Sequence, residues 1–273
     1  MRPADVLIGT QGWSHPAWIG PFYPSGTRPA DLLELYARAF ATVEVDATFY
    51  AAPPEPIVAS WRDRVPGSFR FALKVPQEIT HERRLRDADE ALAHFLERVA
   101  PLGERLGVLL FQMPPDWEPT FATREALERF LVSLPGGYRW AIEFRDPRWL
   151  EPVTLDRLRA QGVALACAAG RWIRPDRVLE VLAEPTAPFA YVRWMGPDRR
   201  LTDFSRVQVD REEELEAWAT ALRGVIERVG TVYGYVNNHF QGHGPASARS
   251  LQGLLGQPRV EPDALRDQRE LLK

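Results

Sequence analysis

Eight short runs rich in β-branched and aromatic residues, each followed by a stretch of helical periodicity, limit most tightly what this chain can fold into. They cover residues 6–10, 42–50, 69–75, 107–113, 138–145, 163–168, 189–195 and 231–238. Parallel strands need a crossover of about a dozen residues or more, and a helix is the usual one. Strict alternation therefore predicts an all-parallel sheet, and eight strands is the number that closes on itself. A length of 273 residues suits one such barrel, for which about 250 is typical. An open doubly wound sheet is the alternative, but no Gly-x-Gly-x-x-Gly turn follows the first run. The expected fold class is α/β, a single TIM-like (β/α)8 barrel over residues 1–256, with 257–273 a polar C-terminal tail or short closing helix.

The intervening stretches support this. Ala88, Leu92, Phe95, Leu96 and Val99 share one helical face, as do Leu215, Trp218, Leu222, Val225, Ile226 and Val229. Asp210 ahead of Glu212, Glu213 and Glu214 provides a cap and an acidic first turn; Pro29 and Asp31 open the first helix similarly. Residues 13–27, with Trp18, Phe22 and Tyr23 among Gly and Pro, read as an ordered loop over the barrel mouth.

Strand side chains alternate between barrel and helix layer, so parity sorts each run. In the fifth, Trp140, Ile142 and Phe144 suit the helices, which turns Ala141, Glu143 and Arg145 inward. In the second, Val43, Val45, Ala47 and Phe49 go outward and Glu44, Asp46, Thr48 and Tyr50 inward. The same rule sends inward Ala72 and Lys74, Leu110 and Gln112, Tyr191 and Arg193, and Tyr233, Tyr235 and Asn237. The charges fall late in their strands, at the carboxyl-end mouth where such barrels carry active sites. Three acids (Glu44, Asp46, Glu143) and three bases (Lys74, Arg145, Arg193) would share one enclosure, as a ligand pocket or as a self-contained ion-pair network.

Composition narrows the partners. A formal net charge of −3 offers no broad attraction to nucleic acid or an anionic membrane. The lone cysteine, Cys167, on the outward parity of the sixth run, fits a reducing compartment and a buried thiol. There is no apolar run of about 18 residues and no secretory h-region after Met1, so a soluble cytoplasmic protein without membrane association is expected. Arginine supplies nearly all the basic charge; the only lysines are Lys74 and Lys273.

Several phrases in fixed order also resemble a known family. They are Gly9-Thr10-Gln11-Gly12-Trp13-Ser14 with Trp18 and Phe22-Tyr23-Pro24; the segment Thr42 to Tyr50; and Leu109-Leu110-Phe111-Gln112-Met113-Pro114-Pro115. Glu143-Phe144-Arg145 and Tyr235-Val236-Asn237-Asn238, with Gly242 and Ala246, follow. Over roughly residues 7–255 the chain is similar to the domain-of-unknown-function 72 (YecE-like) family. The resemblance implies a TIM-like barrel and supplies no reaction. The sequence departs from the family pattern at Asp46, at His239 after the paired Asn, and at Gln11 and His15.

The charged mouth favours an acid–base enzyme, a hydrolase or lyase, on a small anionic (phosphate- or carboxylate-bearing) or polyhydroxylated substrate. Arg145 and Arg193 would clamp the anion bidentately, and Glu143 or Glu44 would be general base. Gln112, Asn237 and Asn238 would orient the substrate, with Trp13, Asp46 and His239 at its edge. In a second version Lys74 is an amine nucleophile forming a Schiff base, a role arginine cannot take; a salt bridge from Lys74 to Glu44 or Asp46 is the structural alternative. Nucleic-acid or phosphodiester recognition is a third, with Trp13, Trp18, Trp117, Trp149 and Trp172 stacking bases. No cofactor is expected. A divalent metal is a weaker reading, because His15, His81, His94, His239 and His243 show no ligand spacing, although His239 and His243 with Glu44 and Asp46 are conceivable ligands. His94 reads as a surface residue and His81 as a loop-positioning one. A non-catalytic binding protein on the same scaffold remains a further class.

Overall fold

In the computed structural model, which describes residues 5–197 and 200–265, eight parallel strands form a nearly closed barrel. They are β1 (Asp5–Thr10), β2 (Thr42–Val45), β3 (Arg70–Lys74), β4 (Leu106–Gln112), β5 (Trp140–Glu143), β6 (Ala164–Gly170), β7 (Phe189–Gly196) and β8 (Thr231–Val236). The crossovers carry α1 (Leu32–Ala39), α2 (Glu55–Asp63), α3 (Asp89–Val99), α4 (Phe121–Ser133), α5 (Pro152–Ala160), α6 (Pro175–Leu182) and α7 (Glu212–Ile226). After β8 come α8 (Asn238–Gln241) and α9 (Gly244–Leu254). The N-cap of α7 is Arg211, whose side chain makes no cap hydrogen bond; Asp210, expected as the cap, lies one residue earlier and accepts from Glu212 N at 2.9 Å. No helix among the described residues is long and apolar enough to cross a membrane.

The ladder runs from β1 through β8 back to β2, and the β1–β2 seam closes differently. Gln11 bridges Glu44, and Gly12 N donates to Glu44 O at 2.8 Å. Below that point the Tyr36 hydroxyl lies between the strands, accepting from Thr10 N at 2.8 Å and donating to Thr42 O at 3.0 Å. The strands pass so closely that a Cβ on Gly9 would lie 2.1 Å from Thr42 O, so only glycine fits there.

Two apolar layers follow from strand parity. Outward residues such as Val43, Leu73, Leu109, Ile142, Cys167 and Val192 pack on the helices. Inward residues Ala72, Val108, Leu110, Ala141, Ala166, Tyr191, Tyr233 and Tyr235 fill the barrel. Small residues on β5 and β6 face tyrosines on β7 and β8, so the interior is packed solid beneath the mouth.

The second strand is shorter than its predicted 42–50. It ends at Val45, and a 3-10 turn follows over Ala47–Phe49. That turn replaces a repeat of two by one of three, so the inward and outward assignment fails after Asp46. Tyr50, expected inward, is 75% exposed, and Phe49, expected against the helices, lies under the Lys74 amine. Residues 145, 237 and 238 likewise lie past the last ladder pairs of β5 and β8. After Gly256 the chain returns to the barrel: Gln257 Nε2 donates to Val6 O, and a helical turn at 262–265 buries Leu265. Residues 266–273 of the expected tail lie outside the described residues.

Candidate functional site

Four strands deliver the central charges: Glu44 is the penultimate residue of β2, Lys74 ends β3, Glu143 ends β5 and Arg193 sits late in β7. Arg193 is fully buried. Its Nε and Nη2 donate to Glu44 Oε1 at 3.1 and 2.7 Å. Nη1 donates to Glu143 Oε2 at 2.6 Å and to Gln112 Oε1 at 3.2 Å, and Nη2 reaches Asp46 Oδ1 at 3.5 Å. The expectation that Arg193 clamps a substrate is thereby corrected: its planar fork is committed to the chain's own acids. Gln112 is likewise buried, with its amide oxygen held by that arginine.

Of the three mouth cations expected from the sequence, Arg145 is the one on a cavity wall, where Arg171 stands beside it. Arg145 Nε lies 3.4 Å from Glu143 Oε1, and its guanidinium lies 5.6 Å from the Trp172 ring, which Arg171 covers from 4.4 Å. Glu143, Arg145, Trp172, Gly196, Asn237 and His239 wall a cavity of about 290 Å³ over β5 to β8. Gly196 at φ 80° is required there, since a Cβ would stand 2.2 Å from His239 O.

Lys74 is nearly buried, at 9% exposure, with its amine 3.7 Å from the centre of the Phe49 ring. The salt bridge to Glu44 or Asp46 is absent: among the described residues no carboxylate lies within 4.0 Å of Nζ. Thr48 holds the strand end, donating to Lys74 O at 2.7 Å.

Burial and charge then act in opposite directions. Burial pushes the Glu44 carboxyl up to about 7, against the pull of Arg193 and with the push of Asp46. Burial would raise Glu143 too, but Arg193, Arg145 and Lys74 outweigh it and hold that carboxyl below its ordinary range. Burial brings the Lys74 ammonium down to about 8, Asp46 opposing and Arg193 assisting. His81, beneath the same rim, is brought down to about 4 by burial and by Lys74 and Arg145; its ring meets Phe49 edge-on at 4.9 Å.

Other predicted residues serve the scaffold. Asn238 Oδ1 accepts from Trp18 Nε1 at 3.1 Å and Gly244 N at 2.9 Å, fastening the 13–27 loop to α9 rather than orienting a substrate. Trp13 packs edge-on against Trp61 and Phe71, in the helix layer and off the cavity wall. Asn237 caps α8 through His239 N at 2.8 Å and donates to Gln11 Oε1 at 2.6 Å, while keeping a place on the wall. His243 caps α9, accepting from Ala246 N, and is buried, where burial brings it down to about 4. Among the described residues no three of the His, Cys, Asp and Glu side chains converge to hold a metal ion. Of the tryptophans expected to stack bases, Trp18, Trp117 and Trp149 are buried and Trp172 alone is clearly exposed, at 38%.

Tyr191, Phe49 and Arg171 were not among the expected site residues, and Trp172 was expected only as a base-stacking ring. Tyr191 donates to Glu44 Oε2 at 2.6 Å; its inward parity two residues before Arg193 was the available signal. Phe49 under Lys74 was hidden by the misjudged strand end, and Trp172 with Arg171 gave only an Arg-Trp pair after a strand.

A family model described as "Protein of unknown function DUF72" matches residues 7–270. The UPF0759 protein YecE of Escherichia coli K12 is 39% identical over 165 residues, 58% of this chain and 57% of that protein, so the chain spans little more than half of that relative. The UPF0759 protein YunF of Bacillus subtilis is 26% identical over 270 residues, covering 92% of this chain and 94% of that one. A crystal structure of a DUF72 family protein from Thermotoga maritima superposes with TM-score 0.79 at 27% identity, over 93% of this chain and 100% of the other. Another, from Enterococcus faecalis, has the same fold at TM-score 0.74 and 21% identity, over 93% and 97%. The ordered mouth motifs, the barrel that carries them and a family match along nearly the whole chain place this protein in the DUF72 (UPF0759) family, whose function is not established.

Proposed function

We propose that the protein is an acid–base enzyme acting on a small phosphate- or carboxylate-bearing, or polyhydroxylated, substrate at the barrel mouth. One observation carries the reading. Glu44 and Glu143 share a single arginine, yet one carboxyl is pushed up to about 7 and the other is held ionised. Two carboxyls driven apart by their surroundings are the usual mark of an acid and a base working together. Glu143 lines the cavity and is the base. Glu44, joined to it through Arg193, exchanges a proton near neutrality. Arg145, on the same wall, meets the substrate's anion, and Asn237 and His239 contact its polar groups. Lys74 adds a second cation whose proton is loosely held. The protein would work in the cytoplasm, in keeping with its single, buried cysteine, Cys167.

The test is thermal stabilisation by inorganic phosphate, glycerate and glycerol 3-phosphate, on the native chain and on Arg145→Met. Occupancy at ten times Kd adds about 1.4 kcal/mol. Stabilisation by at least one compound, lost in Arg145→Met, is expected; equal responses of both proteins, or none, would remove the reading.

A further inference from the structure

We propose that Lys74 is a nucleophile that condenses with the carbonyl group of a small anionic aldehyde or ketone to form a protonated imine. The inference rests on the acid–base reading above and names the substrate's reactive group.

The arrangement of charges motivates it. The enclosure holds three carboxylates, and Arg193 contacts all three while Arg145 contacts Glu143. Lys74, at the carboxyl end of β3 in the same enclosure, has none within 4.0 Å among the described residues. Its amine rests instead on the face of Phe49, where an ammonium is only weakly compensated. A lysine kept for structure would use the carboxylates beside it. This one is desolvated and left without an ion pair, as an amine that must shed its proton requires.

The charges around the amine act in both directions. Asp46, Glu143 and Glu44 stabilise the ammonium, Arg193 opposes it, and His81 is held neutral beside it. Burial prevails and brings the ammonium down to about 8, so near that pH the amine offers a nitrogen lone pair far more often than an unperturbed lysine does. An ordinary lysine at 10.5 would offer one in well under about one molecule in a hundred. An arginine at this position would offer none.

The chemistry balances without a co-reactant. The Nζ lone pair adds to the carbonyl carbon, and the π pair moves to oxygen, which receives the proton that nitrogen releases. The hydroxyl then takes a second proton and leaves as water while the C=N bond forms. One ammonium and one carbonyl thus become one iminium and one water, with no change of oxidation state. The iminium acidifies the adjacent C–H, and Glu143 on the cavity wall is the ionised base to take that proton. Arg145 on the same wall fixes the preference for an anionic substrate.

The chain's composition makes the test clean, since Lys74 and Lys273 are its only lysines. The native protein is incubated at pH 8 with sodium cyanoborohydride together with one of glyoxylate, pyruvate or glyceraldehyde 3-phosphate, each carbonyl in its own reaction, and its peptides are mapped by mass spectrometry. Reductive alkylation of Lys74 at least about tenfold faster than of Lys273, with one or more of the three, is the expected result. Lys74 unlabelled, or labelled no faster than Lys273 with all three, overturns the proposal. A Lys74→Met protein, checked for native circular dichroism, confirms the site by losing the fast labelling while Lys273 is alkylated at its native rate; fast labelling retained in that protein also overturns the proposal. The phosphate stabilisation assay on Arg145→Met separates the two claims. An Arg145-dependent response without Lys74 labelling sinks the imine alone, and no response together with no labelling sinks the acid–base reading with it.

Discussion

Replacing Lys74 by methionine should make the protein more stable at neutral pH, and the structure gives the size of the effect. Bringing the ammonium from 10.5 to about 8 costs the folded chain about 3 kcal/mol, at about 1.4 kcal/mol per tenfold change. Methionine keeps an unbranched stem of similar volume over Phe49 and removes the charge. It forfeits the cation–π contact, about 0.5–2 kcal/mol. The net gain is about 1–3 kcal/mol at pH 7, or roughly 3–8 °C in Tm for a domain of this size. The pH dependence has a definite sign. The unfolded chain binds the lysine proton more tightly than the folded one, so the penalty is complete below about 8 and fades as pH rises towards 10.5. Guanidinium unfolding of both proteins at pH 7 and pH 10.5 should show the advantage of Lys74→Met at the lower pH and its loss at the higher. If the variant is instead destabilised by about 1 kcal/mol or more at pH 7, Lys74 is a structural cation and the reasoning is wrong.

Three further outcomes follow from the same charges and from the seam. Glu44→Gln keeps an oxygen for Arg193 and removes a carboxyl raised from 4.5 to about 7, whose burial lowers native stability as pH rises through that window. The variant should therefore gain on the native protein by about 3 kcal/mol between pH 5 and pH 8 in urea unfolding, and a constant difference would contradict it. Arg193→Met strands Glu44 and Glu143 in the barrel and should cost about 3–5 kcal/mol, more at pH 8 than at pH 5, where the acids take up protons; a loss under about 1 kcal/mol would show the network to be dispensable. Tyr36→Phe leaves Thr10 N–H and Thr42 C=O without their seam partner and should cost about 1–3 kcal/mol, with faster hydrogen exchange at Thr10 as its specific sign.

The barrel was legible because alternation survives on most strands to the last ladder pair, and so were the inward positions of Glu44, Lys74, Glu143 and Arg193. What failed was local. Past Val45 a 3-10 turn breaks the period of two, which misplaced Phe49 and Tyr50. Asn238 has the residue type of a substrate contact and of a backbone cap alike, and it serves as a fastener. Trp13 sits among mouth residues in sequence, but its ring turns back onto Trp61. Which acid meets which base was not legible at all. Strands far apart in the chain supply the partners, and pair distances depend on the stagger of the closed sheet.

That stagger explains why a balanced set of charges ends up unevenly paired. Three acids and three bases suggest three salt bridges, but the barrel seats one guanidinium among the carboxylates. A planar fork with five N–H donors satisfies acceptors on several sides at once, and a lysine ammonium at the same point lacks that geometry. With Arg193 spanning Glu44, Asp46 and Glu143, the electrostatic demand of the acids is met from β7, and the strand β3 on the far side of β2 supplies a cation that none of them needs for an ion pair. Among the described residues Lys74 is then stabilised by longer-range attraction and by the Phe49 ring, while burial works against its charge. The network and the reactive amine are therefore one arrangement: holding the acids on Arg193 is what leaves the amine of Lys74 able to lose its proton near neutral pH.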